Sequence, residues 1–290
     1  MPTQNPMPMV TLPSGESVPA LGLGTWRIGE VASRRAAEIK AVRLAISMGY
    51  RAIDTAEMYG EGGAEEVVGA ALAQALKAGD VKREELFIVS KVYPHNASSA
   101  GARKACERSL RRLGLEQIDL YLLHWRGAHP LAETVEVFER LRADGRIRHW
   151  GVSNFDTSDM DELRAVSEGA HCAANQVYYS LGQRGAEFSL LPWLRQHGMP
   201  AMAYCPIDQG GLASSKVLAA LGQRHGASAA QVALAWVLAQ PQVMAIPKAV
   251  QEPHLRENLA AASLVLSAQD LAELDAHFPP PRRKTALAML

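Results

Sequence analysis

Residues 86–124 read LFIVSKVYPHNASSAGARKACERSLRRLGLEQIDLYLLH, and this stretch decides the fold. Leu86–Ser90 and Asp119–Leu123 are apolar runs too short for helices and rich in the residues that strands bury on both faces. Between them Ala102, Ala105, Cys106, Ser109, Leu110 and Leu113 form a stripe at helical spacing. Arg103, Lys104, Glu107, Arg108, Arg111 and Arg112 take the opposite side. Strand, helix, strand with polar helix exteriors calls for parallel strands joined by crossovers.

The same alternation runs outward in both directions. Short runs lie at Leu21–Thr25, Tyr50–Asp54, His149–Ser153, Ala174–Val177, Pro200–Tyr204 and Val243–Ile246. Helical patterns lie at Arg35–Met48, Ala64–Ala78, Thr134–Ala143, Thr157–Val166 and Ala229–Ala239, with an extra one at Ser214–His225. Eight units at intervals of about 30 residues predict a (β/α)8 TIM barrel, an α/β fold in a single domain over residues 1–290. Residues 1–19 form an N-terminal extension and 279–290 a C-terminal tail. The rival is an open doubly wound sheet, but Gly22-Leu23-Gly24-Thr25-Trp26 lacks the third glycine of its phosphate-binding turn.

Composition narrows the function. The 290 residues are 48% hydrophobic and 21% charged, as a folded globular chain requires, and 30 basic residues balance 30 acidic ones. A neutral chain generates no long-range field for nucleic acid or an anionic membrane. No apolar run has the roughly 18 residues of a spanning helix, and Met1–Pro19 lacks the features of a signal peptide. Cys106, Cys172 and Cys205, odd in number and widely spaced, suit free thiols in a reducing cytoplasm. No Cys/His cluster has metal-ligand spacing, so no metal is expected.

Barrel chemistry gathers at the C-terminal ends of strands. There the sequence places Asp54, with Tyr59 five residues later, then Lys91, His124, Ser153 with Asn154, Gln176, Tyr204 and Lys248. Singly, each has an ordinary structural reading as a helix cap, solvated side chain or hydrogen-bonded support. Together they put ionisable groups at consecutive strand ends, inside sequence otherwise too apolar for charge. A phenol is a weak acid, with a pKa near ~10. An ammonium at Lys91, oriented by Asp54, would lower the pKa of Tyr59, and a neutral His124 could donate to an oxygen gaining negative charge. That set suits protonating a carbonyl while a reduced cofactor delivers hydride.

These residues also carry a resemblance. Asp54-Thr55-Ala56-Glu57-Met58-Tyr59-Gly60, Ser90-Lys91, Asp119 through Trp125, Gly151-Val152-Ser153-Asn154-Phe155, Asn175-Gln176-Val177 and Ile246-Pro247-Lys248 resemble the motifs of the aldo-keto reductase family. The match runs from Leu21 to Asn258, and the tail Lys284-Thr285-Ala286-Leu287 is similar to the bacterial branch that includes methylglyoxal reductases. The resemblance implies NADPH-dependent reduction of small aldehydes and ketones, with Asp54, Tyr59, Lys91 and His124 as the catalytic set. It further implies Ser153, Asn154 and Gln176 on the nicotinamide carboxamide, Tyr204 stacked on the ring, Trp26 against the cofactor, and Glu257 and Asn258 at the adenine.

Lys248 is implied as partner of the cofactor's 2′-phosphate. Many family members follow this lysine with Ser or Thr and place an Arg six residues on. Here those positions hold Ala249 and His254, with Arg256 two further along, so NADH is a possible second cofactor. Only about eight residues separate His124 from the next helical pattern, and 13 follow His277, which predicts an open mouth. Trp26, Tyr93 and Trp125 are candidates for the substrate wall. The expected partner is a small carbonyl compound, without nucleic acid or membrane, and the expected state is a cytoplasmic monomer. Two alternatives are a Schiff-base aldolase using Lys91 and a non-catalytic NADPH-binding regulatory module.

Overall fold

The structure, a computed structural model, describes residues 7–290. Two short antiparallel strands, β1 (Met9–Thr11) and β2 (Ser17–Pro19), precede the strands β3 (Gly22–Gly24), β4 (Ala52–Asp54), β5 (Phe87–Val92), β6 (Ile118–Leu123), β7 (Ile147–Ser153), β8 (Asn175–Tyr178), β9 (Ala201–Tyr204) and β10 (Val243–Ala245). The last eight form one parallel sheet in sequence order. Ala245 N–H donates to Ala20 and Gly24 N–H to Pro247, which brings the last strand beside the first and closes the barrel. The predicted (β/α)8 architecture is the observed one.

The outer layer consists of α1 (Arg35–Met48), α2 (Gly63–Ala78), α3 (Ser99–Leu113), α4 (Leu131–Ala143), α5 (Thr157–Ala165), α6 (Leu190–Gln196), α7 (Lys216–His225), α8 (Ala229–Leu238), α9 (Glu252–Ala261) and α10 (Ala268–His277). All six residues of the stripe predicted on α3 are buried, while its arginines face out or form ion pairs. A Leu110→Ala truncation there would cost about 2–5 kcal/mol.

The two faces of each strand separate two cores. Ile53, Ile88, Tyr121, Val152, Val177 and Ala203 point outward against the helices. Ala52, Phe87, Val89, Leu120, Leu122, Met202 and Met244 fill the interior. Because side chains alternate along a strand, the inward positions that follow these interior residues toward the C-terminal ends are 54, 91, 124 and 204. The apolar filling therefore ends, on strand after strand, in a polar residue facing the mouth.

The N-terminal extension is more than a tail. Residues 1–6 of it lie outside the described residues, but Met9–Pro19 folds as a hairpin across the opposite end of the barrel. Val10, Leu12 and Val18 join the interior core, and Gln242 exchanges two hydrogen bonds with the backbone of Thr11. Helices α6, α9 and α10 also add to the predicted set. Helix α6 is too short for a periodic signal, and α9 turns His254, Glu257 and Asn258 toward the mouth, which interrupts its apolar stripe.

Candidate active site

Lys91 is the hub. Its side chain is fully buried, and its ammonium donates to Asp54 Oδ2 at 2.7 Å, to the Thr55 carbonyl at 2.9 Å and to the Tyr59 hydroxyl oxygen at 3.3 Å. All three N–H groups are thereby engaged. The phenol oxygen accepts from Lys91, which leaves its own O–H free to point into the cavity. His124 packs edge-on to the Tyr59 ring, with centroids 5.7 Å apart, and its buried Nδ1 has no partner among the described residues. The four residues expected to act together form one cluster, in which Asp54, Tyr59 and His124 line the cavity and Lys91 lies buried behind them.

Electrostatics correct one expectation. The Tyr59 phenol is held well above its ordinary pKa, first by burial and then by the negative charge of Asp54. The predicted acidifying effect of Lys91 does not prevail, because burial outweighs it and Asp54 sits 2.7 Å from the ammonium. Burial also lowers the Lys91 pKa, opposed by the charge and hydrogen bond of Asp54. His124 is driven well below the ordinary imidazole range by burial and by the Lys91 charge. At neutral pH the site therefore holds a protonated phenol and an uncharged imidazole.

A cavity of about 780 Å³ extends from these residues toward α8 and α9. Trp26, Ser153, Asn154, Gln176, Tyr204, Lys248, His254, Glu257 and Asn258 all line it, and so does Trp125. Their hydrogen bonds interlock. Gln176 Nε2 donates to Asp54 Oδ1 at 2.8 Å, Ser153 Oγ to the Gln176 carbonyl at 2.9 Å, and Tyr204 Oη to Asn154 Oδ1 at 2.9 Å. Asn154 adopts a left-handed backbone (φ 60°), a conformation that asparagine tolerates better than most residues, and its Nδ2 donates to the His124 carbonyl at 3.2 Å. The Tyr204 ring stacks on Tyr178, with centroids 5.5 Å apart.

Tyr93 departs from its predicted place. It is absent from the cavity lining and stands behind Trp125, with ring centroids 6.0 Å apart, because its hydroxyl is drawn outward to Glu61 at 3.1 Å. Arg256 points away from the cavity and pairs with Glu252, leaving His254 as the lining residue near Lys248. Met289 and Leu290 also line the cavity, so the mouth is narrower than the tail length predicted. Arg184, bonded to the Phe278 carbonyl, and Lys284, 3.2 Å from Asp156, lead the tail there.

Two further lining features have no counterpart in the sequence reading. Arg27 sets its guanidinium over Trp26, 4.6 Å from the ring centroid, and forms no ion pair among the described residues. Ser228, Ala229 and Ala230 present the N-terminus of α8. The signal for the second was the Ser-x-x-Gln spacing of Ser228 and Gln231, a reciprocal cap that marks a helix start.

The sequence profile of the Aldo/keto reductase family matches residues 20–278. The chain is 49% identical over 287 residues to methylglyoxal reductase YeaE of Escherichia coli, covering 97% of this chain and 99% of that protein. It is 37% identical to a glyoxal reductase of Bacillus subtilis, covering 92% and 91% respectively. An aldo-keto reductase from Klebsiella pneumoniae, crystallised with NADPH, superimposes with a TM-score of 0.92 at 49% identity, covering 98% of this chain and 99% of that one.

Proposed function

The chain belongs to the aldo/keto reductase family, and from that premise we propose that it reduces small aldehydes and ketones, methylglyoxal among them, to alcohols with NADPH. The observation that carries this reading is the shared ammonium of Lys91, buried behind the cavity wall and in contact with two residues that line it, Asp54 on one side and Tyr59 on the other.

The lining suits a dinucleotide. Arg27 and Lys248 supply cations, His254 adds a ring nitrogen, the N-terminus of α8 favours anions, and the aromatic ring of Tyr204 and the amides of Asn154 and Gln176 line the same cavity. Ser153, Asn154 and Gln176 would hold the carboxamide, Tyr204 the ring face, Trp26 the neighbouring cofactor surface, and Glu257 and Asn258 the adenine. Lys248 and His254 would take the 2′-phosphate. NADH would fit the same cleft without that contact. When bound, the cofactor supplies the hydride that goes to the carbonyl carbon.

The protein's own part is proton management. Tyr59 keeps its proton until the substrate oxygen becomes strongly basic, then transfers it to that oxygen as the alcohol forms. The phenolate left behind is stabilised by Lys91, whose charge and direction Asp54 maintains. A proton from solvent restores the phenol. Neutral His124 donates a hydrogen bond to the same substrate oxygen, and Trp26 and Trp125 shape the pocket around the carbon skeleton. An aldolase role for Lys91 fares worse, since its amine is fully buried with every hydrogen engaged.

The reading extends to a single barrel domain over residues 1–290, acting as a monomer in the cytoplasm. Support comes from the uninterrupted sheet order and from the unpaired Cys106, Cys172 and Cys205. No helix among the described residues is long and apolar enough to cross a membrane. The direct test mixes protein, NADPH and methylglyoxal or other small aldehydes while following absorbance of the reduced cofactor. Steady oxidation is expected. Silence across the panel would overturn the reading, and tight NADPH binding without turnover would favour a regulatory module.

A further inference from the structure

Tyr59 opens an irregular turn, residues 59–62, in which Gly60, Glu61 and Gly62 all have positive φ values of 57°, 51° and 93°. No sheet ladder holds such a turn, so packing must. On one side a Cβ on Gly63 would lie 2.4 Å from the Gly29 carbonyl oxygen, so that two backbones touch directly. On the other, the Arg112 side chain lies so close beneath Gly62 that a Cβ there would come 2.6 Å from Nε.

Arg112 is itself tied down. Its Nε donates to Glu65 Oε2 at 2.6 Å, and the second oxygen of Glu65 accepts from Ser90 Oγ at 2.6 Å. Glu65 is fully buried, between the strand wall and the helices. Ser90 is the outward-facing neighbour of Lys91 on β5. One buried chain thus runs from the Tyr59 turn through Arg112, Glu65 and Ser90 to the strand that carries Lys91. The proposed chemistry makes no use of Glu65, and burying a carboxylate is costly.

We propose that Glu65 is a positioning residue for proton transfer: bridging Arg112 and Ser90, it fixes the Tyr59 turn against the Lys91 strand and so sets the approach of phenol to ammonium. The inference rests on the reading of Tyr59 as proton donor. A misplacement of the order of 1 Å at a reacting group can cost about 100-fold in rate, so a small slip of this turn would be visible in turnover. A glutamine at position 65 keeps the shape but turns an N–H₂ toward one of the two donors, which breaks one link.

The test compares wild type, Glu65→Gln and Ser90→Ala, the second variant carrying it should the first fail to fold. With methylglyoxal, kcat is expected to fall about 10- to 100-fold, with KM for the aldehyde and Kd for NADPH within about twofold of wild type. The primary deuterium isotope effect from 4-deuterated NADPH should rise as chemistry becomes rate-limiting. A crystal structure of either variant should show Tyr59 Oη moved beyond hydrogen-bond reach of Lys91 Nζ. Wild-type kcat and isotope effect, or a kcat loss matched by lost folded protein with the isotope effect unchanged, would overturn the inference. An inactive wild type would instead strike the proposed function.

Discussion

Gln176 and Asp54 meet across the barrel: from β8, directly opposite β4, the amide nitrogen donates to Oδ1 at 2.8 Å while Lys91 takes Oδ2 at 2.7 Å. Both oxygens of a buried carboxylate are occupied by donors from two different strands. This gives Asp54 a single orientation and closes the cavity floor with polar contacts.

The balance of that floor is measurable. Lys91→Met leaves Asp54 buried without its counter-charge and is expected to lower unfolding stability by about 3–5 kcal/mol in urea denaturation. Adding Asp54→Leu to the same protein should recover part of the loss, because no unpaired charge remains. Undiminished stability in the single variant would mean that the pair is not electrostatically coupled.

Tyr59→Phe removes the free O–H and the oxygen that accepts from Lys91, and keeps the ring. Turnover is expected to drop about 10²- to 10⁴-fold, with NADPH affinity by fluorescence titration within about twofold of wild type. Near-normal turnover would reassign the proton donor.

His124 makes stability depend on pH. The unfolded chain protonates this imidazole near ~6.5, whereas burial and Lys91 hold the folded pKa well below that. The unfolded state therefore binds more protons as pH falls, so the contribution is complete above about 6.5 and is lost on acidification toward the folded pKa. Its slope cannot exceed about 1.4 kcal/mol per pH unit. Denaturant midpoints at a series of pH values from neutral downward should fall less steeply for His124→Gln than for wild type. Parallel profiles would contradict the assignment.

Lys248 and His254 bear on cofactor choice. Lys248→Met should weaken NADPH binding about 10- to 100-fold, the range of one charge-assisted contact of roughly 1.5–3 kcal/mol, and leave NADH nearly unaffected. His254→Ala should give a smaller change of the same kind. Equal weakening for both cofactors would place the 2′-phosphate elsewhere.

Asp54, Lys91, His124, Gln176 and Tyr204 were legible in the sequence because each interrupts an apolar strand with a polar group, and alternation then turns it inward. Lys248 was legible as the first charge after the last strand. Tyr59 was reached through its spacing from Asp54, although its turn has no periodic signal. The hairpin at Met9–Pro19 was not legible, since three-residue strands carry too little pattern to detect. Tyr93 and the approach of Met289 depended on which way loops lean, a matter of tertiary contacts. The rise in the Tyr59 pKa was missed for a different reason. Desolvation and the cancelling effect of Asp54 on Lys91 belong to the folded interior and appear in no local motif.

The packed interior closes the barrel from within, and the hairpin caps its far end. With Val10, Leu12 and Val18 stoppering the far end, anything admitted past Trp26 and Trp125 must retrace its path to leave. On the proposed function, cofactor and carbonyl compound would therefore share that single approach.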